Sequence, residues 1–255
     1  MRFLIAVLGR NEAELLPVAL GQAADAALAG DEVVFVDGAS SDGSARVAER
    51  LGVRVLAAPE GKGRAIALVL REAASDYVVF VDADIESSSV NIPATLRAEA
   101  ERSGADLVVG EFDWPERPLL NTLNVYRPLV RALFPEALEP VGAVPFSGFR
   151  ALRTAFDWGA IPPGFGVESH INLAAAAGGG SIALAQLGRY VGPVRAKPLL
   201  GREVGGAILD AAVAAGRIGA AERPAWDRWL EHVVACIAAG DAEAAARASA
   251  RPLPG

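Results

Sequence analysis

Residues 77–86 read Tyr-Val-Val-Phe-Val-Asp-Ala-Asp-Ile-Glu, an apolar run that ends in two carboxylates one residue apart. Five strand-favouring residues without polar alternation predict a strand buried on both faces, which requires a sheet with helices packed on each side. Asp82 and Asp84 then stand at its carboxyl end. In extended chain residues i and i+2 point the same way, so Asp82 and Asp84 could share one hard cation, Mg²⁺ or Mn²⁺, with positions left for phosphate oxygens. A bare Asp-x-Asp after a strand is also what the start of an ordinary polar loop looks like, so the neighbouring segments decide.

Similar transitions recur along the chain. Residues 3–8 form an apolar strand that runs into Gly9-Arg10-Asn11-Glu12, and residues 32–36 form a second that ends at Asp37-Gly38. Helical stretches separate them, with Gly30 and Gly52 as stops. A short strand at 53–56 leads to the turn Gly61-Lys62-Gly63, and a helix beginning near Asn91-Ile92-Pro93 leads to a strand at 106–109. Strands alternating with helices predict an α/β fold with a parallel sheet, whose ligands bind beyond the carboxyl ends of the strands. Three segments deliver acids to that one edge: Glu12, Asp37, and Asp82 with Asp84.

The remainder is less regular. Residues 111–118 read as a loop crossing the sheet edge, and residues 119–133 as a helix broken before Pro128. Residues 144–150 suggest a strand and turn, residues 161–170 a loop entering a helix with Glu168 near its start, and residues 181–187 a returning strand. Amphipathic helices follow over 201–240, and the tail 241–255 reads as frayed.

Composition narrows the function. With 255 residues and a formal charge of −7, the chain can bury a large core but lacks the basic surface of a general nucleic-acid binder. The longest uncharged span, 171–188, holds three consecutive glycines and makes a poor membrane helix, and the single Cys236 cannot form an internal disulfide. A cytoplasmic enzyme is the expectation.

Taken in order, Asn11-Glu12, the segment from Val36-Asp37 to Asp42-Gly43-Ser44, Gly61-Lys62-Gly63 and Val81-Asp82-Ala83-Asp84 resemble the nucleotide-sugar half of a GT-A glycosyltransferase of the family 2 kind. Gly164-Phe165-Gly166-Val167-Glu168 and the order of segments are most similar to the retaining glucosyl-3-phosphoglycerate and mannosylglycerate synthases, over about residues 1–200. The resemblance implies a Rossmann-like, mostly parallel sheet flanked by helices, a nucleotide-sugar half (1–110), an acceptor half (111–200) and a C-terminal helical extension. It implies that Leu8, Glu12, Asp37 and Gly38 line the nucleotide base and that Lys62 holds the base or diphosphate. Asp82, Ala83 and Asp84 would bind the donor, with Asp82 and Asp84 as metal ligands, and Glu168 would contact the sugar. Glu168, Asp84 and Lys62 are thereby the implied catalytic groups and Asn121 and Thr122 the acceptor-side ones, and His170 joins the acceptor-side candidates by its position two residues after Glu168.

Two departures stand out. Leu119-Leu120-Asn121-Thr122 keeps the threonine of the family's acceptor-phosphate segment but lacks its arginine, which points away from 3-phosphoglycerate as acceptor, since one hydroxyl does not replace a guanidinium fork. Residues 188–198 lack the family's metal-binding histidine, leaving Arg195 or Lys197 to supply positive charge. The expected activity is transfer from a UDP- or GDP-sugar to a small polar acceptor. The alternatives are an inverting transferase, a sugar nucleotidyltransferase and a non-catalytic sugar-nucleotide binder. Helices after Glu203 could pair two subunits.

Overall fold

The computed structural model describes residues 1–113, 119–193, 197, 199–250 and 253–254. Arg195 and most of the expected crossing loop lie outside them. Eight strands are present among these residues: β1 (Phe3–Gly9), β2 (Glu32–Asp37), β3 (Arg54–Ala57), β4 (Tyr77–Asp82), β5 (Ser87–Ser88), β6 (Leu107–Asp113), β7 (Arg150–Arg153) and β8 (Ile182–Val191). They form one sheet in the order β3-β2-β1-β4-β7-β6-β8-β5. The strands β3, β2, β1 and β4 are parallel, as are β6 and β8, while β7 runs antiparallel between β4 and β6 and β5 antiparallel to β8.

The helices are α1 (Leu16–Ala26), α2 (Ser44–Arg50), α3 (Lys62–Glu72), α4 (Ile92–Ser103), α5 (Arg127–Leu133), α6 (Val167–Ala177), α7 (Leu200–Ala214), α8 (Arg223–Ala238) and α9 (Ala242–Ser249). The opening strand is buried on both sides, as its composition predicts. Tyr77, Val79, Val81 and Ala83 join Leu16, Leu20, Leu96 and Ala100 of α1 and α4. Val78 and Phe80 join Ala65, Ile66, Val167 and Ile171 of α3 and α6. Each of the larger side chains among them contributes on the order of 1.5–3 kcal/mol of apolar burial. Because side chains alternate along a strand, Asp82 falls on the face covered by α3 and α6.

A third cluster joins α5, α7 and α8 through Leu129, Val204, Ile208, Trp226 and Leu230. Three sequence expectations change in this half. The strand expected over 144–150 begins only at Arg150, and the preceding residues form a turn held by that arginine. No break precedes Pro128: Thr122–Tyr126 is a π-helical turn that leads directly into α5, and its wider bonding, with the Arg127 N–H donating to the Thr122 carbonyl, carries the helix into a residue that has no N–H. The tail expected to fray contains α9, capped by the Asp241 side chain accepting the Ala244 N–H at 2.7 Å and seated by buried Ala245 and Ala248.

Candidate active site

The sheet brings the carboxyl ends of β1, β2 and β4 side by side. Leu8 is in register with Val36 on one side and Asp82 on the other, and Gly9 with Asp37. The pairing runs one residue further, since the Ala83 N–H donates to the Leu8 carbonyl at 2.8 Å and the Gly38 N–H to the Gly9 carbonyl at 2.9 Å. A β-carbon on Gly9 would stand 2.8 Å from that of Ala83 and 3.0 Å from the Phe35 ring, so this junction admits only glycine without rearrangement.

After β1, Asn11 adopts a left-handed conformation (φ 57°), and its side-chain oxygen accepts the Ser41 N–H at 2.8 Å. The Glu12 N–H donates to Ser44 Oγ and the Ala13 N–H to Asp42 Oδ2, both at 2.9 Å. The turn after β2 is thus stitched to the turn after β1. Asp42 is occupied by this stitching; burial pushes its carboxyl up, but the Ser44 hydroxyl and the Ala13 and Ser44 N–H groups hold it below the usual range. Asp37 accepts the Ser40 N–H at 3.1 Å. A cleft of about 600 Å³ opens beside these turns, lined among others by Asn11, Glu12, Asp42, Glu86 and Pro193, a size that suits a small-molecule ligand.

Lys62 is the centre of the constellation. As the first residue of α3, it sends Nζ to 2.9 Å from Asp82 Oδ1 and 2.8 Å from Glu168 Oε1. Burial lowers the ammonium's affinity for its proton, but Asp82 and Glu168 outweigh it and leave the group more basic than an ordinary lysine. For Asp82 burial again opposes ionisation, and Lys62, followed by Lys197 and Arg150, holds the carboxyl below its usual range. Glu168 lies in the first turn of α6, where the helix dipole favours an anion.

Backbone fit sets this geometry. Gly61 and Gly63 flank Lys62, and a side chain at either would run into the Pro163 or Pro162 carbonyl of the loop that enters α6. The Arg64 N–H donates to the Pro163 carbonyl at 3.2 Å. Helix α3 and the 161–166 loop therefore lie backbone against backbone, which brings Lys62 to Glu168. On the other side of Asp82, Gly148 backs directly onto the carboxylate with no room for a β-carbon.

Asp84 has different surroundings. Its carboxyl is pushed up by burial, then by the charges of Asp82 and Glu12. The Tyr190 hydroxyl lies 3.5 Å from Asp84 Oδ1, and burial followed by Asp84 raises that phenol too. A divalent cation relieves such a surplus of negative charge, so the donor chemistry fits Mg²⁺ or Mn²⁺. Among the described residues, no third acid, histidine or cysteine joins the pair to complete a metal-holding group. Remaining ligands would come from diphosphate or water oxygens, as Mg²⁺ commonly takes them.

The expected acceptor residues are not drawn to this centre. Thr122 is buried within the π-helical turn, and Asn121 packs against Gly201 of α7. His170, two residues beyond Glu168 and on another face of α6, places Nε2 2.7 Å from the Trp158 carbonyl oxygen. Lys197 sits over the Phe165 ring, 5.0 Å from its centroid. Sequence reasoning missed Arg150, Asn172 and Gly148. One signal was available, a cation at the start of the strand Arg150-Ala151-Leu152-Arg153, next to apolar Phe149 and Ala151.

The fold is shared with solved glycosyltransferases. A complex of Mycobacterium tuberculosis glucosyl-3-phosphoglycerate synthase with Mn²⁺, UDP-glucose and phosphoglyceric acid matches with a TM-score of 0.70 and 24% identity, over 83% of this chain and 79% of that one. Mannosyl-3-phosphoglycerate synthase from Rubrobacter xylanophilus matches with a TM-score of 0.74 and 22% identity, over 86% and 76%. The family model for glycosyl transferase family 2 matches residues 5–155, more than half of the chain and every strand that bears the acidic edge. The chain belongs to glycosyl transferase family 2 and is a glycosyltransferase.

Proposed function

We propose that the enzyme transfers a sugar from a nucleoside diphosphate donor to a hydroxyl of a small polar acceptor, with retention of configuration and with Mg²⁺ or Mn²⁺. The observation that carries this reading is Lys62, held 2.9 Å from Asp82 and 2.8 Å from Glu168 at the mouth of the parallel strands. Asp82 and Asp84 would hold the metal, which when bound neutralises charge on the departing diphosphate. Lys62 moves from its two carboxylates toward that diphosphate, Glu168 orients the sugar hydroxyls, and Glu12 and the Asp37-Gly38 turn flank the nucleotide. Retention agrees with a Glu168 already committed to a cation, which makes it a poor free base for attack from the opposite face. The absent arginine near Thr122 favours an acceptor other than the phosphoglyceric acid named for the Mycobacterium tuberculosis complex.

Calorimetric titration with UDP, GDP and UDP-glucose, with and without Mn²⁺, tests the donor side. One nucleotide should bind, more tightly with Mn²⁺, and Asp84→Asn should abolish the metal's effect; binding by that variant indistinguishable from wild type would refute the metal site. Proton NMR of the product then reads the anomer, and inverted configuration would overturn retention.

A further inference from the structure

Arg150 is a wholly buried cation that the transfer reaction does not use directly. Only 1% of its surface is exposed. Its guanidinium donates to the Ser147 carbonyl at 2.8 Å, the Pro145 carbonyl at 2.9 Å and Asn172 Oδ1 at 3.0 Å. Among the described residues no carboxylate reaches ion-pair distance of it. A buried charge without a directly paired acid is costly unless something nearby uses its field.

Its place in the fold shows what uses it. Arg150 opens β7 in register with Phe80 of β4, two residues before Asp82 on the same face of the strand. Asn172 lies one helical turn after Glu168 on α6, so Glu168 and Asn172 share a stripe of that helix. The guanidinium thus grips the turn whose Gly148 backs onto Asp82 and the helix that carries Glu168. Asn172 tightens the grip by donating to the Pro145 carbonyl at 2.9 Å. Burial lowers the guanidinium's proton affinity, and Glu168, Tyr126 and Asp82 raise it, so both site carboxylates feel its charge.

We propose that Arg150 is a positioning residue for donor binding: it fixes Asp82 and Glu168 in one frame and remains as their counter-charge when Lys62 swings to the diphosphate. When Lys62 leaves, Asp82 has the metal, but Glu168, with 5% of its side-chain surface exposed, would otherwise stand without a cation. Arg150 cannot follow a ligand, because its three partners are backbone carbonyls and a buried amide. This inference rests on the donor role proposed for Lys62.

The test is UDP binding with Mn²⁺, by calorimetry, for wild type, Arg150→Lys, Arg150→Met and Asn172→Asp, alongside the melting temperature of each. Arg150→Met should weaken UDP binding tenfold or more and Arg150→Lys should restore most of it. Asn172→Asp, which hands Arg150 a private carboxylate but gives up the hydrogen bond to the Pro145 carbonyl, should weaken binding at least fivefold while the melting temperature falls by no more than a few degrees. That loss of binding out of proportion to the loss of stability is the diagnostic, and it remains readable if Arg150→Met does not fold. Unchanged binding in Asn172→Asp, or binding losses that merely follow melting-temperature losses across the set, would overturn the positioning role. Failure of wild type to bind UDP or GDP would instead remove the donor reading on which it rests.

Discussion

Gly63 at the start of α3 lies so close against the Pro162 carbonyl that no side chain fits between them. The contact joins the helix carrying Lys62 to the loop leading to Glu168, although the two are a hundred residues apart in sequence. Gly63→Ala must therefore push α3 from the loop. Such overpacking costs roughly 1–3 kcal/mol. Urea unfolding should show that loss, and nucleotide affinity at a temperature where the variant remains folded should drop at least tenfold. A variant of wild-type affinity would mean that Lys62 reaches its partners without the glycine.

Replacing Lys62 by Met leaves Asp82 and Glu168 facing each other without their shared cation. Breaking a buried pair costs about 3–5 kcal/mol, and here the lower end is expected because Asp82 keeps 26% of its side-chain surface in water. Nucleotide binding should be lost as well. Glu168→Gln behaves differently, since its amide oxygen still accepts from Lys62: the fold should persist while kcat falls about 10²–10³-fold, the scale of removing one preorganised electrostatic group. Equal stability losses in the two variants would contradict the assignment of Lys62 as the shared partner.

How much of this was legible beforehand follows from where each signal resides. The burial of residues 77–83 and the acids beyond β1, β2 and β4 could be read because strand composition and sheet-edge chemistry are local. The antiparallel β7 was not legible as such: whether Arg150 begins a strand or ends a turn depends on three acceptors, two in the preceding turn and one on α6. Pro128 signalled a break at the residue before it because π-helical turns are too rare to expect. Thr122 was placed on the acceptor side by resemblance and His170 by its nearness to Glu168 in sequence, and their packing against the helical layer and Trp158 depends on tertiary contacts that spacing does not encode.

Acid should weaken the fold through Asp31. Its carboxylate accepts the Phe3 N–H at 2.9 Å and the Leu28 N–H at 2.8 Å and pairs with Arg97, tying β1 to α4. Burial pushes the carboxyl up, but the Leu28 and Phe3 N–H groups and Arg97 carry it below its ordinary 3.8. A depressed folded-state pKa stabilises fully above the unfolded value and is lost as pH falls through the folded one. Asp31→Asn should cost about 1.5–3 kcal/mol at pH 7, because an amide cannot accept from both N–H groups and Arg97 is left with Glu101 as its remaining acid. The gap between wild type and variant in urea unfolding should narrow as pH drops below about 4. A gap independent of pH would show that the Arg97 pair contributes nothing.

Helix α7 is tied to the loop that delivers Glu168 by Glu203. Glu203, in the first turn of α7, accepts the Phe165 N–H, and its carboxylate fills the space a side chain on Gly164 would need. Gly166 lies against the Glu203 carbonyl and Ala207 in the same way. The loop that delivers Glu168 is therefore held between α3 and α7. Glu203→Ala removes the clamp on that side and leaves the Phe165 N–H without its acceptor. Because a displacement of about 1 Å at a positioned group can cost up to 10²-fold in rate, kcat should fall on the order of tenfold or more. UDP affinity should change little, since the Glu203 carboxylate engages the loop before Glu168 rather than Asp84 or the β1 and β2 turns. Measuring kcat and UDP affinity separately checks this: an equal loss in both would mean that α7 supports the whole edge rather than the Glu168 loop alone.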